Sequence, residues 1–450
     1  MAMKMAMKRQ TTFYRRFAAL RRDQAGTLVI ITALLFPVLL AFMGLSLDVG
    51  MIYDWKRREQ RAADAAAIGA ITEVWRGGDT DAAKLAGKND SALNHFDEAS
   101  TARDITVDIN IPYNGSSIMV EAVITERQVP TYFMRVLGVY DDITVQSRAV
   151  AGLVKYATGC IHALNADQRA SLVVQGTAVM DAGCEIMVNS NHTSAITVNG
   201  GGCLLGSYIG TSGNYAMNGS ANCIDPPPVT DVATAYDSMS YMRAMEPSVP
   251  EEGATEENTN VKITGGEVTL TPGYYYGSGG GAAISISGGL VHFQEGLYIL
   301  DSGLSINSTS VVDVVDSEGI VAMGPGGAGV TFCSTNSDGG NWGTFFVAGT
   351  ADVTFYAPSS GDYEGMLFWE DDGAPGTPPG HIFAGTADSV FNGAIYTPSS
   401  GVSWRGTNDT VDWTMIVADT VEVSGGAVLP SAHLNNSPIA PPVFAPTLLE

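Results

Sequence analysis

The chain has 450 residues, 45% hydrophobic and only 16% charged, with 52 glycines and a net charge of −24. That length suits two or three domains with real apolar cores, and the absence of a G-x-y period excludes collagen. Residues 156–450 hold four basic residues (Arg169, Arg243, Lys262 and Arg405) against thirty acids, which excludes a region that coats nucleic acid or anionic lipid.

The N-terminus is the opposite. Residues 1–24 hold seven basic residues and one acid, Asp23, and read as a basic tail beside an anionic membrane surface. Residues 26–47 then carry no charge. A helix of that length rises roughly 33 Å, enough to cross a hydrocarbon core. It is longer than the apolar core of a cleaved signal peptide, so residues 25–50 are expected to be a retained transmembrane helix, with Pro37 a tolerated kink. The excess of Lys and Arg before the span puts the N-terminus in the cytoplasm and the large acidic region outside it.

No proline interrupts residues 53–75, and Asp54–Arg58 and Arg61–Asp64 have helical pairing distances. The helix is therefore expected to continue as a stalk until Gly77-Gly78. Ala62, Ala65, Ala66, Gly69 and Ala70 give it a small-residue face open to close helix packing. A second helix is expected over 79–100, with Ala82, Leu85, Ala86, Leu93 and Phe96 on its apolar face. Alternating or β-branched segments at 104–111, 117–126 and 142–154 predict strands, and Val129 to Arg135 predicts a short helix with Pro130 near its first turn. Residues 51–155 thus read as a helical stalk with a small α+β domain.

The stretch "GLSLDVGMIYDWKRREQRAADAAAIGAI" resembles the N-terminal region of TadG-like proteins of the Flp (Tad) pilus assembly system, in the TadE/G-like family. The apolar run with Pro37, then Asp48-Val49-Gly50, then Ala62 to Ala67 carry the likeness. "VPTYFMRVLGVYDDITVQSRAVAGL" is similar to the family segment in which a short helix leads into a final strand. Pilins of this kind carry a glutamate at the fifth position after their processing glycine. Here Ile31 stands at that place after Gly26, so the resemblance implies an unprocessed, anchored component. It further implies a non-enzymatic role in anchoring or assembling the pilus, with pilin-like proteins, other assembly components and the inner membrane as partners, and no nucleic acid.

From about residue 156 short strand-like pieces alternate with Gly, Asn, Ser and Asp turns. This predicts a mainly β region, a β-solenoid, with a β-sandwich as the alternative. "AGTAD" recurs at 348–352 and 384–388, and "Y-x-PSSG" at 356–361 and 396–401. Residues 225–260, with three consecutive prolines and an acidic run, read as a mobile insertion or linker, apart from a short helical pattern near 231–245. All five cysteines follow the apolar span. None has C-x-x-C spacing, and an oxidising periplasm favours disulfides. Proximity suggests Cys160–Cys184 and Cys203–Cys223, although spacing alone leaves three connectivities open. Cys333 reads as a buried apolar residue. His162, His192, His292, His381 and His433 are scattered and match no nucleophile signature.

No catalytic, cofactor or metal residue is assigned. A glycan lyase would need basic groups that the acidic region lacks. The equivalent repeat positions Asp352 and Asp388 read as strand-ending aspartates rather than a hydrolase pair. A surface adhesin or pilus-tip protein is the alternative function.

Overall fold

The structure is a computed structural model that describes residues 25–134, 143–155, 159–219, 223–245, 258–277, 281–322, 327–335, 343–371, 380–386, 388–406, 414–430 and 444–449. The basic tail, the acidic run at 251–257 and His433 lie outside these. Of the short helix expected from Val129 to Arg135 only Arg135 lies outside; Val129 ends a strand and Pro130 to Phe133 are not helical, which corrects that expectation for the described part. The chain divides into two compact units. One holds the residues up to Ala70, Ala82–Gly152 and the last few residues; the other holds Ile71–Asp81 and Leu153–Thr447.

A single helix, α1 (Ala25–Trp75), is 51 residues long and carries Pro37 inside it; it belongs to the first unit as far as Ala70 and to the second from Ile71. Its side chains from Val29 to Leu47 are mostly exposed. Among the described residues this is the one helix long and apolar enough to cross a membrane. Beyond it α1 turns amphipathic and lies on an antiparallel sheet of β1 (Asp104–Asn110), β2 (Met119–Val129) and β3 (Ile143–Lys155). Alternation along these strands buries Ile105, Val107, Ile109, Val120, Ala122 and Ile124 on one side, as a half-covered sheet requires. At the C-terminus the Leu449 N–H donates to the Val150 carbonyl.

The second helix, α2 (Thr80–Leu93), buries Ala83, Gly87 and Ser91. Of the expected face Phe96 is buried and Ala82 and Ala86 are half-buried, but Leu85 and Leu93 are exposed, 61% and 77%, which corrects it at those two positions. The cause is close approach to α1: a Cβ on Gly87 would sit 2.8 Å from the Ala66 carbonyl oxygen and 3.1 Å from the Ala70 Cβ. Only small side chains fit such a contact, and the bulky ones face outward.

The second unit is a parallel β-solenoid with three strand ladders. Among the described residues its named strands pair in parallel, with one antiparallel bridge at Val315 and Val321, as the solenoid expectation requires. One ladder runs Val261–Ile263, Ile284–Ile286, Leu304–Ile306, Phe345–Val347, His381–Phe383 and then residues 402–406. It continues through 420–425 to Leu172–Val174, Ile196–Asn199 and Tyr215–Asn218. Chain order and spatial order therefore differ. The first strands in sequence sit in the middle of the stack, docked on the last coil. Leu164, Gln175, Thr177 and Val179 donate backbone N–H groups to the carbonyls of Ala418, Val423, Gly425 and Ala427.

This topology explains the insertion. After Cys223–Asp225 the chain stands at one end of the stack and must restart at the other, at Val261. Ten strands at about 4.8 Å make roughly 43 Å, well within the reach of the connecting residues. Residues 226–245, read from the sequence as mobile, are tied to the solenoid side. Asn189 exchanges two 2.8 Å hydrogen bonds with the backbone of Ala235. The Tyr396 hydroxyl donates to Asp237 at 2.7 Å, and Arg243 lies 3.3 Å from the same carboxylate. Ser240–Ala244 is a 3-10 turn. Its Ser240 hydroxyl donates to the Trp75 carbonyl at 2.5 Å, and Tyr236 lies 4.5 Å from the Trp75 ring.

The repeats resolve differently. The strands that follow the two "AGTAD" copies are in register at the repeat offset, since Thr354 pairs with Val390. The "Y-x-PSSG" copies do not correspond: Tyr356 pairs with Asn392, whereas Tyr396 pairs with Trp369. The four extra residues carry the second copy to another face. One corner of the stack is a glycine ladder. Gly425, Gly176, Gly200 and Gly219 all have positive φ, and a Cβ on Gly219 would sit 2.5 Å from the Gly200 carbonyl oxygen.

The core changes chemistry along the stack. Between 290 and 404 it is an aromatic column of Phe293, Phe332, Phe345, Phe355, Phe368, Phe383, Phe391 and Trp404, with neighbouring centroids 4.8–6.4 Å apart. Coils from 159 to 225 pack Ile161, Leu172, Ile186, Val188, Ile196 and Leu204 instead. Both cysteine pairs form disulfides in this aliphatic half, Cys160–Cys184 and Cys203–Cys223, with Cα separations of 5.9 and 4.6 Å. Each links successive coils, and Cys203 and Cys223 are register partners.

Three outcomes follow for denaturant unfolding and thiol labelling. Phe332→Ala, at the centre of the column, is expected to cost about 3–5 kcal/mol. Replacing Cys203 and Cys223 by serine is expected to cost about 2–4 kcal/mol. Cys333 is fully buried, and burial pushes its thiol up. It should resist maleimide until the protein unfolds.

Candidate functional site

The densest set of specific interactions in the first unit lies along α1 where the apolar run ends. Asp48 is buried, and its carboxylate accepts three consecutive backbone N–H groups. Tyr132 donates to Oδ1 at 3.1 Å, and Phe133 and Met134 donate to Oδ2 at 2.8 and 2.6 Å. Successive N–H groups converge in this way where a chain begins to turn, and they form a natural anion cradle. Here the anion belongs to the protein. Gly44, one turn earlier, makes the clasp possible, because a Cβ there would lie 2.5 Å from the Phe133 ring. The sequence "GLSLD" thus encodes a socket for Phe133 and an acceptor for the backbone beside it.

Farther along, α1 is fastened to the sheet by buried polar groups. Glu126 of β2 is 2% exposed. It accepts from the Trp55 indole N–H at 2.5 Å and from Arg103 Nε at 2.7 Å. The Arg103 guanidinium also lies over the Trp55 and Phe96 rings, 5.1 and 4.7 Å from their centroids. Glu59 accepts from the Glu126 backbone N–H at 3.2 Å and from the Ser147 hydroxyl at 2.8 Å. Lys56 donates to the Ser147 oxygen at 3.0 Å, and Gln60 donates to the Arg148 carbonyl at 2.8 Å. Burial pushes the Glu59 carboxyl up, only partly offset by the Ser147 hydrogen bond and the charge of Lys56.

The small-residue face sits one step beyond. Ala62, Ala66 and Ala70 are fully buried, and Ala65 and Gly69 are partly so. The face packs within its own unit: Ala66 and Ala70 meet α2 at Gly87, and Gly69 lies against Asp90. A face filled in this way is not free for a partner helix. The sequence showed that a close neighbour was required, but not that the neighbour is α2.

The other candidate residues do not form a reactive site. Among the described residues no group of three or more His, Cys, Asp and Glu side chains is placed to hold a metal. Asp352 opens its strand and Asp388 lies two residues before the corresponding strand on the next coil, so both stand at strand starts and not, as expected, at strand ends. The tightest polar cluster in the solenoid is Glu370, His381 and Ser400, each 1% exposed. Ser400 donates to Glu370, the Ser399 N–H donates to it at 3.3 Å, and His381 lies 3.6 Å away. The hydroxyl is bound to a carboxylate rather than to an imidazole base, and burial shuts out a substrate. Glu370 and Ser400 pair across coils, and His381 Nδ1 accepts from the Phe345 N–H on the neighbouring coil at 3.0 Å.

Three outcomes check this account. Asp48→Ala should strip hydrogen-exchange protection from the amides of Tyr132, Phe133 and Met134, with Asp48→Asn intermediate. Ala66→Leu should cost about 1–3 kcal/mol by overpacking against α2. The third concerns pH. The folded state holds the Glu59 proton more tightly than the unfolded chain does, so stability should fall as pH rises from the ordinary glutamate range through the raised folded value, then level off. Glu59→Gln should flatten that part of the profile in denaturant melts.

Residues 26–77 match the Tad family model, described as Flp pilus-assembly TadE/G-like. That span covers the apolar run, Gly44 and Asp48 of the clasp, and the small-residue face. No curated protein and no solved structure matches the chain.

Proposed function

We propose, from the TadE/G-like character of residues 26–77, that the chain is a membrane-anchored, non-enzymatic component of Flp (Tad) pilus assembly. The observation that carries this reading is the coincidence of the family match with one continuous helix, apolar and exposed at its start and built into a folded unit at its end. In this reading the N-terminus is cytoplasmic, in keeping with the Lys and Arg bias, and the acidic solenoid lies in the periplasm, where its two disulfides are stable. Partners are pilin-like and other assembly proteins. Because the small-residue face is filled by α2, apolar partner helices meet the exposed side of α1 within the bilayer, around Leu39, Phe42 and Met43, which are 57%, 65% and 61% exposed.

The rival reading is a surface adhesin or pilus-tip protein that presents the solenoid outside the cell. Protease access to a C-terminal tag separates the two. Protection in intact cells and digestion after the outer membrane is opened supports the assembly role. Digestion in intact cells overturns it in favour of the adhesin. A photoreactive residue at Phe42 should crosslink to apolar helices of pilus components, and its failure to do so would refute the intramembrane contact.

A further inference from the structure

A cavity of about 450 Å³ opens beside α1 just past the apolar run. Its walls include Leu47, Gly50, Met51, Trp55, Val129, Pro130 and Tyr132, with Asp54 and Arg58 at the far end. Gly50 leaves it open, since a Cβ there would meet nothing within 4 Å.

Depth identifies the occupant. If the hydrocarbon ends near Leu47, the Arg58 backbone lies about 16 Å above it, at roughly 1.5 Å per residue. Its side chain turns back toward the membrane, as the 2.7 Å contact with Asp54 one turn earlier shows, and it is 63% exposed. This brings the guanidinium to the headgroup layer. Only part of its five-donor fork is used by Asp54. The apolar wall is continuous with the exposed helix below: Leu47 and Met51 are 58% and 37% exposed. Tyr132, 66% exposed, stands in the same wall as aromatic side chains do at a bilayer interface. An apolar groove rising from lipid to a guanidinium matches an amphiphile with an acyl chain below and a phosphate above.

We propose that this groove holds a phospholipid of the leaflet that α1 exits, with the acyl chain against Leu47, Met51 and Val129 and the phosphate on Arg58. The bound lipid fixes the height and rotation of the first unit on the membrane. The proposal rests on α1 spanning the bilayer, and its test reads that separately.

The full-length protein is reconstituted in vesicles of phosphatidylethanolamine and phosphatidylglycerol doped with a phospholipid carrying a diazirine near the carboxyl end of one acyl chain. Adducts are mapped by mass spectrometry. Expected are adducts on residues 46–58 and 129–132. Gly50→Leu, which adds an apolar side chain where a Cβ meets nothing within 4 Å, should reduce them about tenfold, and Arg58→Gln should reduce them by about the same factor, the worth of one charge-assisted hydrogen bond. Labelling of residues 29–43 should be unchanged in both variants. Groove labelling that is unaffected by Gly50→Leu overturns the proposal, as does labelling confined to 29–43. Crosslinks from the groove to a second copy of the chain, or to a co-purified polypeptide, also overturn it. An α1 that takes no label at all refutes the spanning reading with it.

Discussion

A parallel coil can satisfy its backbone N–H and C=O groups only on the coils above and below it. Every coil in the described stack therefore needs two neighbours, except at the ends. The coils at 159–181 are the first in sequence, yet they have the last coil, at 414–430, on one side and the coil at 185–205 on the other. This single demand fixes the circular order of the solenoid. It also explains why residues 226–260 exist: a chain that finishes one end of the stack must be carried back to begin the other. The described first part of this return path, residues 226–245, is fastened along the side of the stack.

The same accounting of polar groups governs α1. In its first part the helix meets most of its own backbone groups, the bond lost at Pro37 apart, and presents no charged side chain, which is the condition for crossing lipid. Where the apolar run ends the helix acquires partners at once. Asp48 takes three backbone N–H groups, Trp55 and Arg103 share Glu126, and Glu59 takes the Ser147 hydroxyl. These bonds change in character along the helix, from an anion cradle to buried carboxylates to close packing of alanines on Gly87. The helix is held along its length rather than at one point, so its apolar part and the folded unit are coupled by a rigid element.

Much of this was legible in the sequence. The apolar run, its uninterrupted continuation and the stop at Gly77-Gly78 follow from composition and periodicity, and α1 runs as expected. The three strands β1, β2 and β3 appear within a few residues of their expected positions because their alternation is strong. The faces were harder to read. On α2 the large residues Leu85 and Leu93 looked like the core, but the helix lies too close to α1 for them, and Ala83, Gly87 and Ser91 are inside. Hydrophobicity marks what can be buried; the distance between two helices decides what is. Asp48 stood out as the first charge after the apolar run. Its partners, 84 to 86 residues away, are backbone groups, which leave no mark in the sequence. Trp55, Glu126 and Arg103 gave no local signal either.

The sequence by itself determined the local elements: one long helix, apolar then charged, followed by short strands separated by glycine-rich turns. These depend on neighbours a few residues apart, and periodicity reports them directly. Only the tertiary structure decided the order of the coils, the use of the small-residue face within the chain, and the correspondence of one repeat but not the other. Each of these depends on which distant segment supplies hydrogen-bond partners or van der Waals contact. A parallel strand of three residues reads the same wherever it lies in the stack, and its place is set by the backbone it must pair with.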